Sequence, residues 1–189
     1  MKQHDFAQLR SNLLSEDLER RIPALDQACE LVQEIVKIGV QMLEKGPARF
    51  LVAERLHGLG RTIIEPLQSL LIRSKESEVQ ILAALVLLQL GSEVGIPVLL
   101  QALDTDREYV LLIARHLAAN KVDESIDKIV FRLRSAQDSE IDLIVGLLSA
   151  LRTLEAKVPE DLLRRFEQSS MAWQVRTVVE EISKQGSSG

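Results

Sequence analysis

Between Val79 and Leu90 the apolar and small residues Val79, Leu82, Ala83, Val86, Leu87 and Leu90 fall at i, i+3, i+4, i+7, i+8 and i+11. That spacing draws one continuous stripe along a helix. Gly91 follows, where a residue free to adopt the left-handed conformation ends a helix. A second apolar segment, Ile96-Pro97-Val98-Leu99-Leu100-Gln101-Ala102-Leu103, runs to a turn at Asp104-Thr105-Asp106. The pattern predicts a helix, a tight turn and a second helix. Ile81, Leu85 and Leu88 lie off the main stripe and leave the first helix little polar face. A helix apolar nearly all round is expected to be buried on several sides.

The design recurs along the chain. Thirty-one residues upstream, Ala48, Leu51, Val52, Leu56 and Leu59 repeat the stripe, and Gly60 matches Gly91. Downstream come Tyr109, Leu112, Ile113 and Leu117, with Asn120 near the glycine position. Ile141, Ile144, Val145 and Leu148 follow, with Thr153 at that position, and Val175, Val178, Val179 and Ile182 make a last half-unit. Pro66, Pro97 and Pro159 each fall six residues after the glycine position. Proline is tolerated in the first turn of a helix, where its missing N–H has no partner to lose, so each marks the start of a second helix. Ser74, Asp104 or Thr105, Asp138, and Ser169 or Ser170 are candidate caps for the first helices.

The first 45 residues are less regular. Ser15 is expected to cap a short helix leading to Ile22-Pro23, and Pro23 to start a new one. Leu25, Ala28, Cys29, Val32, Ile35, Val36, Val40 and Leu43 would be the apolar face of a long helix reaching Gly46. The expected organisation is N-terminal capping helices or a divergent repeat over 1–45, a repeat array over 46–185 and a flexible tail over 186–189.

A two-helix unit of this length resembles the HEAT repeat, in particular the bacterial HEAT-like type first associated with phycobilisome lyases. That family opens its first helix with a Val-Arg pair followed by small residues, then a Leu and a Gly, and opens its second with Ile-Pro-x-Leu. Trp173-Gln174-Val175-Arg176 is similar to the opening, and Leu90-Gly91 with Ile96-Pro97-Val98-Leu99 to the rest. Gln80 stands where the family has arginine, and the unit starting at Tyr109 departs most, with Asp127 at the proline position. The resemblance covers about residues 46–183. It implies an all-α fold: an α-α superhelix of about five helix pairs with divergent N-terminal helices, whose second helices line a concave binding surface.

Composition narrows the picture. Aromatic residues make up 3% of the chain, so the core must be built from Leu, Ile, Val and Ala. The net charge of −5 opposes a phosphate-gripping face. HEAT-like DNA glycosylases need a basic concave surface and aromatics to hold a base, so a nucleic-acid partner is not expected. The single cysteine, Cys29, excludes an internal disulfide and a thiolate zinc site. Beside Ala28 and Val32 it is expected to be a small buried apolar side chain in a reducing compartment. Met1-Lys2-Gln3-His4-Asp5 lacks the apolar stretch of a signal peptide. The longest apolar run, Ile81 to Leu88, falls well short of the roughly 20 residues that span a bilayer. The expectation is a cytoplasmic protein with no membrane insertion.

Candidate chemistry is sparse. His4, His57 and His116 are scattered, without metal-ligand spacing, and no phosphate-binding glycine loop or nucleophile elbow occurs. Asp123, Glu124 and Asp127 suit the start of a helix, where carboxylates complement the dipole. No catalytic residue, metal or cofactor is therefore predicted. On the helix around Ile126, Ile126, Ile129, Val130 and Leu133 form one stripe, and Phe131 points nearly opposite beside Lys128 and Arg132. An aromatic flanked by cations would anchor a contact, whereas packing against a neighbouring repeat is the competing reading. By the same wheel Arg61, Glu65, Gln68 and Arg164 face outward. The expected function is a non-catalytic scaffold or adaptor binding another protein. The alternative implied by the resemblance is a subunit of a HEAT-like bilin lyase handling a tetrapyrrole chromophore, which would need an apolar pocket with basic residues for the propionates.

Overall fold

The computed structural model describes residues 3–168 and 171–186, and among them every regular element is helical. In chain order the helices are α1 (Gln3–Leu13), α2 (Leu18–Lys45), α3 (Arg49–Leu56), α4 (Ile64–Arg73), α5 (Ser77–Gln89) and α6 (Ile96–Thr105). They continue as α7 (Val110–Ala119), α8 (Ile126–Ser135), α9 (Ile141–Thr153), α10 (Glu160–Phe166) and α11 (Trp173–Gly186). Short 3₁₀ segments at His57–Ile63, Glu93–Gly95 and Asp123–Ser125 lead into α4, α6 and α8. Helices α3, α5, α7, α9 and α11 pack each on the next in one row. Helices α4, α6, α8 and α10 each contact the following member of that row, and α6 also packs on α8.

The turns between paired helices repeat one geometry. After α5, Ser92 N donates to Leu87 O at 2.9 Å and Gly91 N to Leu88 O at 3.0 Å. After α7, Val122 N bonds Leu117 O and Lys121 N bonds Ala118 O, both at 3.0 Å; after α9, Ala156 N bonds Leu151 O and Glu155 N bonds Arg152 O, also at 3.0 Å. These paired bonds are Schellman caps, which satisfy carbonyls that the helix leaves unpaired. The left-handed residue is Gly91 in the first turn (φ 78°), but Lys121 (φ 55°) and Glu155 (φ 57°) in the others. Asn120 and Thr153, expected at that position, therefore lie one and two residues early. Pro66, Pro97 and Pro159 do fall at helix starts, as third residue of α4, second residue of α6 and N-cap of α10. Asp127 is the second residue of α8 and so replaces Pro97 in register.

The other helix ends are capped across units. Arg49 Nη2 donates to Glu44 O at the end of α2 at 2.9 Å, and Gln80 Nε2 to Ser74 O at 2.9 Å and Leu71 O at 3.3 Å at the end of α4. Arg132 reaches Asp106 O at 3.1 Å and Asp104 O at 3.4 Å after α6. Arg165 reaches Ala136 O at 2.6 Å and Leu133 O at 3.3 Å after α8. The last carbonyls of a helix carry partial negative charge and lack intrahelical donors, so a cation or amide from the next unit both satisfies and aligns them. Gln80 thus does with an amide what arginine does at the other joints.

The core is aliphatic, apart from the fully buried Phe166. Every residue from Ile81 to Leu88 of α5 is buried, none more than 4% exposed. Gly95 packs so closely on this helix that a Cβ would lie 2.7 Å from the Ala84 Cα.

Near the N-terminus the structure departs from the sequence reading. Helix α2 begins at Leu18, capped by Asp17, whose Oδ1 accepts from Glu19 N at 3.0 Å. Pro23 therefore sits inside the helix, not at its start, and Ser15 accepts from Asp17 N rather than capping. Cys29 is exposed, as are Leu25, Val32 and Ile35. Helix α1 packs on α2 and leaves these residues exposed. Among residues 5–35 Leu9 and Ala24 alone are fully buried. In α3 the buried residues are Ala53 and Leu56, while Leu51 is exposed, because Arg49 is tied to Glu44 O and fixes the helix's rotation.

Of the expected caps, Ser74 accepts from Glu76 N at 3.2 Å and Asp138 pairs with Arg165, but Asp104 and Thr105 are the last residues of α6, and it is Asp106 that accepts from Tyr109 N at 2.7 Å before α7. Ser169 and Ser170 lie outside the described residues, as do residues 187–189 of the expected tail. Among the described residues no helix is long and apolar enough to cross a membrane.

Candidate functional site

Helix α8 presents Ile129, Val130 and Leu133 to the core and turns Phe131 outward, where the ring is 61% exposed. Packing on neighbouring units therefore covers less than half of the residue. Phe131 stands at an open cleft of about 760 Å³. One wall is the end of α8, with Phe131, Arg132 and Ser135; the other is the start of α7 and α9, with Arg107, Glu108, Leu111, Asp142 and Leu143. Gln174 of α11 and Glu140 complete the lining. Glu140 Oε2 accepts from Gln137 N at 2.7 Å, which holds the connecting turn closed before α9.

The lining of this cleft is chemically mixed. It combines an exposed aromatic ring, the apolar walls of Leu111 and Leu143, two arginines and three carboxylates. Arg132 is committed to the carbonyls that end α6, so its charge is fixed at the rim. Lys128, one turn earlier on α8, is paired with Asp104. The expected cluster of Lys128, Phe131 and Arg132 is therefore assembled on α8, with only the ring left free.

The other candidates lie elsewhere. Arg61 belongs to the 3₁₀ segment before α4, Glu65 is exposed on the first turn of α4, and Gln68 Nε2 donates to Ser92 Oγ at 3.4 Å. Arg164 is on α10 and pairs with Glu160 at 3.2 Å. None of these four lines the cleft beside Phe131. Arg107 and Gln174, which do, were not singled out from sequence. Arg107 follows an acidic turn and Gln174 opens the last half-unit, and neither position carries a signal of its own.

The strongest electrostatic feature sits on the helix starts of α3, α5 and α7. Arg49 Nη1 pairs with Glu76 at 2.7 Å and Glu78 at 2.9 Å, and the Tyr109 hydroxyl donates to Glu78 Oε1 at 2.9 Å. The bond from Arg49, then that from Tyr109, holds the Glu78 carboxyl below the usual carboxylate range. Burial, then the Glu78 charge, pushes the Tyr109 phenol up to about 12. The hydrogen bond that Arg49 donates to Glu78 raises Arg49 above its ordinary value, against the opposing effect of burial. This chain of bonds fastens three successive units.

Comparison with protein-family models, curated proteins and solved structures finds no match. Function must be read from the surfaces. Among the described residues no group of three or more His, Cys, Asp or Glu side chains is placed to hold a metal ion. His116 is occupied within the fold, with Nδ1 2.8 Å from Leu112 O and Nε2 2.7 Å from Gln89 Nε2.

Proposed function

We propose that this chain is a HEAT-like stack of helix pairs that acts as a non-catalytic scaffold, binding another protein at the cleft beside Phe131. The HEAT-like reading is supported by the Schellman turn, the proline-type helix start and the inter-unit carbonyl cap, each recurring from pair to pair. Stacked helix pairs offer extended surfaces suited to such binding. The observation that carries the functional reading is Phe131 itself. A large ring left in water above an open, mixed-charge cleft is the kind of anchor on which interface energy concentrates. The cleft's partner is a polypeptide segment that buries an apolar side chain against the ring and pairs with Arg107 and the rim carboxylates.

The test is affinity capture from a lysate of the organism that makes the protein, comparing wild type with Phe131→Ala and Arg107→Glu. A specific protein retained by wild type and lost by both variants supports the reading. Capture unaffected by either variant, or a coloured small molecule brought down in place of a protein, contradicts it.

A further inference from the structure

Helix α2 carries one apolar seam along its length, and the stack covers only the second half of it. Leu18, Ile22, Leu25, Cys29, Val32, Val36, Gly39 and Leu43 alternate steps of four and three residues, the period at which one helix meets another lengthwise. Over the second half the seam is occupied. Val36, Gly39 and Leu43 are buried, and α3 lies so close that a Cβ on Gly39 would fall 2.7 Å from Leu56 Cδ2. Over the first half it is uncovered: Leu18, Ile22, Leu25 and Val32 are 43% to 61% exposed, and Cys29 among them is exposed too. Ile35, Ile38 and Met42 lie further round the helix and form no part of the seam.

One edge of the seam is acidic. Glu19, Asp26 and Glu30 follow it, and Glu44 stands at the same edge further on, since Asp26 and Glu44 are about five whole turns apart. Where the seam is covered, a cation from an element packed on α2 answers the edge carboxylate: Arg73 of α4 pairs with Glu44 at 2.8 Å. Where it is uncovered, Glu19, Asp26 and Glu30 are exposed, and no cation among the described residues pairs with them. The neighbouring cations are engaged elsewhere, Arg20 with Asp17 at 3.5 Å, Arg21 with Ser15 O at 2.8 Å and Lys37 with Glu34 at 3.7 Å.

We propose that the first half of this seam docks a helix of another protein, an amphipathic one whose apolar stripe is bordered by lysine or arginine. The chain's own packing is the template: the second half of the same seam takes a helix, and the carboxylate beside it takes an arginine. Charge selects among occupants. A basic border answers the three unpaired carboxylates. A second copy of α2 would bring the same carboxylates to the seam, and an anionic membrane surface would meet them with like charge. This surface is separate from the cleft beside Phe131 and independent of what binds there.

The test uses two synthetic peptides of about three heptads, both with leucine at the seam positions, one with lysine and one with glutamate at the flanking positions. Binding is read by fluorescence anisotropy of the labelled peptide, and its place by the rate at which Cys29 reacts with a maleimide. The lysine peptide is expected to bind wild type at least about tenfold more tightly than the glutamate peptide, and to slow Cys29 modification by a similar factor. Ile22→Ser/Val32→Ser should weaken that binding by about tenfold, and Glu19→Lys/Asp26→Lys/Glu30→Lys should reverse the preference between the peptides. Phe131→Ala should leave both readings unchanged. Protection of Cys29 in wild type decides where the peptide sits if a variant fails to fold. Equal binding of the two peptides, binding of neither, or a lysine peptide that leaves Cys29 reactive overturns the proposal. So does binding that survives the serine substitutions, or a preference that survives the charge reversal. Cys29 protected without peptide as protein concentration rises would overturn it in favour of a second copy, and Cys29 protected by anionic lipid vesicles in favour of a membrane surface.

Discussion

Helices α2 and α5 are both rich in aliphatic residues, yet they meet opposite fates. In α5 the run Ile81–Leu88 is enclosed on every side by α3, α4, α6 and α7. In α2 the stretch before Val36 buries only Ala24, and Leu18, Ile22, Leu25, Val32 and Ile35 are exposed. What differs is neighbours, not composition. A helix in the middle of a stack is closed by the units on both sides, whereas one at the end is closed only by what docks there.

This comparison is most exposed to paired truncations. Leu87→Ala should cost about 3 kcal/mol in urea unfolding, through lost burial and the cavity it leaves. Ile35→Ala should cost less than about 1 kcal/mol. Similar costs would mean that α2 is covered within a single chain. Next in size is the inter-unit cap: Arg165→Ala should lower stability by about 1–2 kcal/mol, since it strips bonds from the carbonyls of Leu133 and Ala136. Urea midpoints for Arg165→Lys test the geometry, because a point charge cannot reproduce the guanidinium fork and should recover only part of the loss.

The stripes of α8 and α11 were legible because burial there follows helical period, and Pro66, Pro97 and Pro159 marked helix starts because the first turn tolerates them. The stripe in α2 was equally legible, but its spacing says only that one face is apolar. Whether Cys29 and Val32 are covered depends on what packs beside them, and both are exposed. The αL positions in the turns after α7 and α9 were missed because Lys121 and Glu155 carry no glycine-like signature, although the turn geometry matches that at Gly91. The Arg132 and Arg165 caps were invisible for a different reason. They join segments more than 25 residues apart, so sequence offered Arg132 as a free contact residue when it is bound to the end of α6.

A smaller effect comes from the bonds that fasten α3, α5 and α7. Glu78 has its carboxyl lowered in the folded state, so its contribution is fully present above the usual carboxylate value near 4.5 and fades as pH falls through the lower folded value. Tyr109 has the opposite sign: its contribution is whole below pH 10 and is lost as pH rises towards about 12. Stability measured against pH should therefore decline at both extremes, and Tyr109→Phe should remove the alkaline part and weaken the acid one. Smallest of all, Phe131→Ala should shift stability by no more than about 0.5 kcal/mol, because its ring packs against nothing that it holds in place.

Hydrogen exchange tests the contrast between α5 and α2 most directly. The amides of Ile81–Leu88 should exchange only through global unfolding. Those of Ala24–Ile35 should exchange faster, through local opening. An α5 that opens as readily as this stretch of α2 would contradict the account.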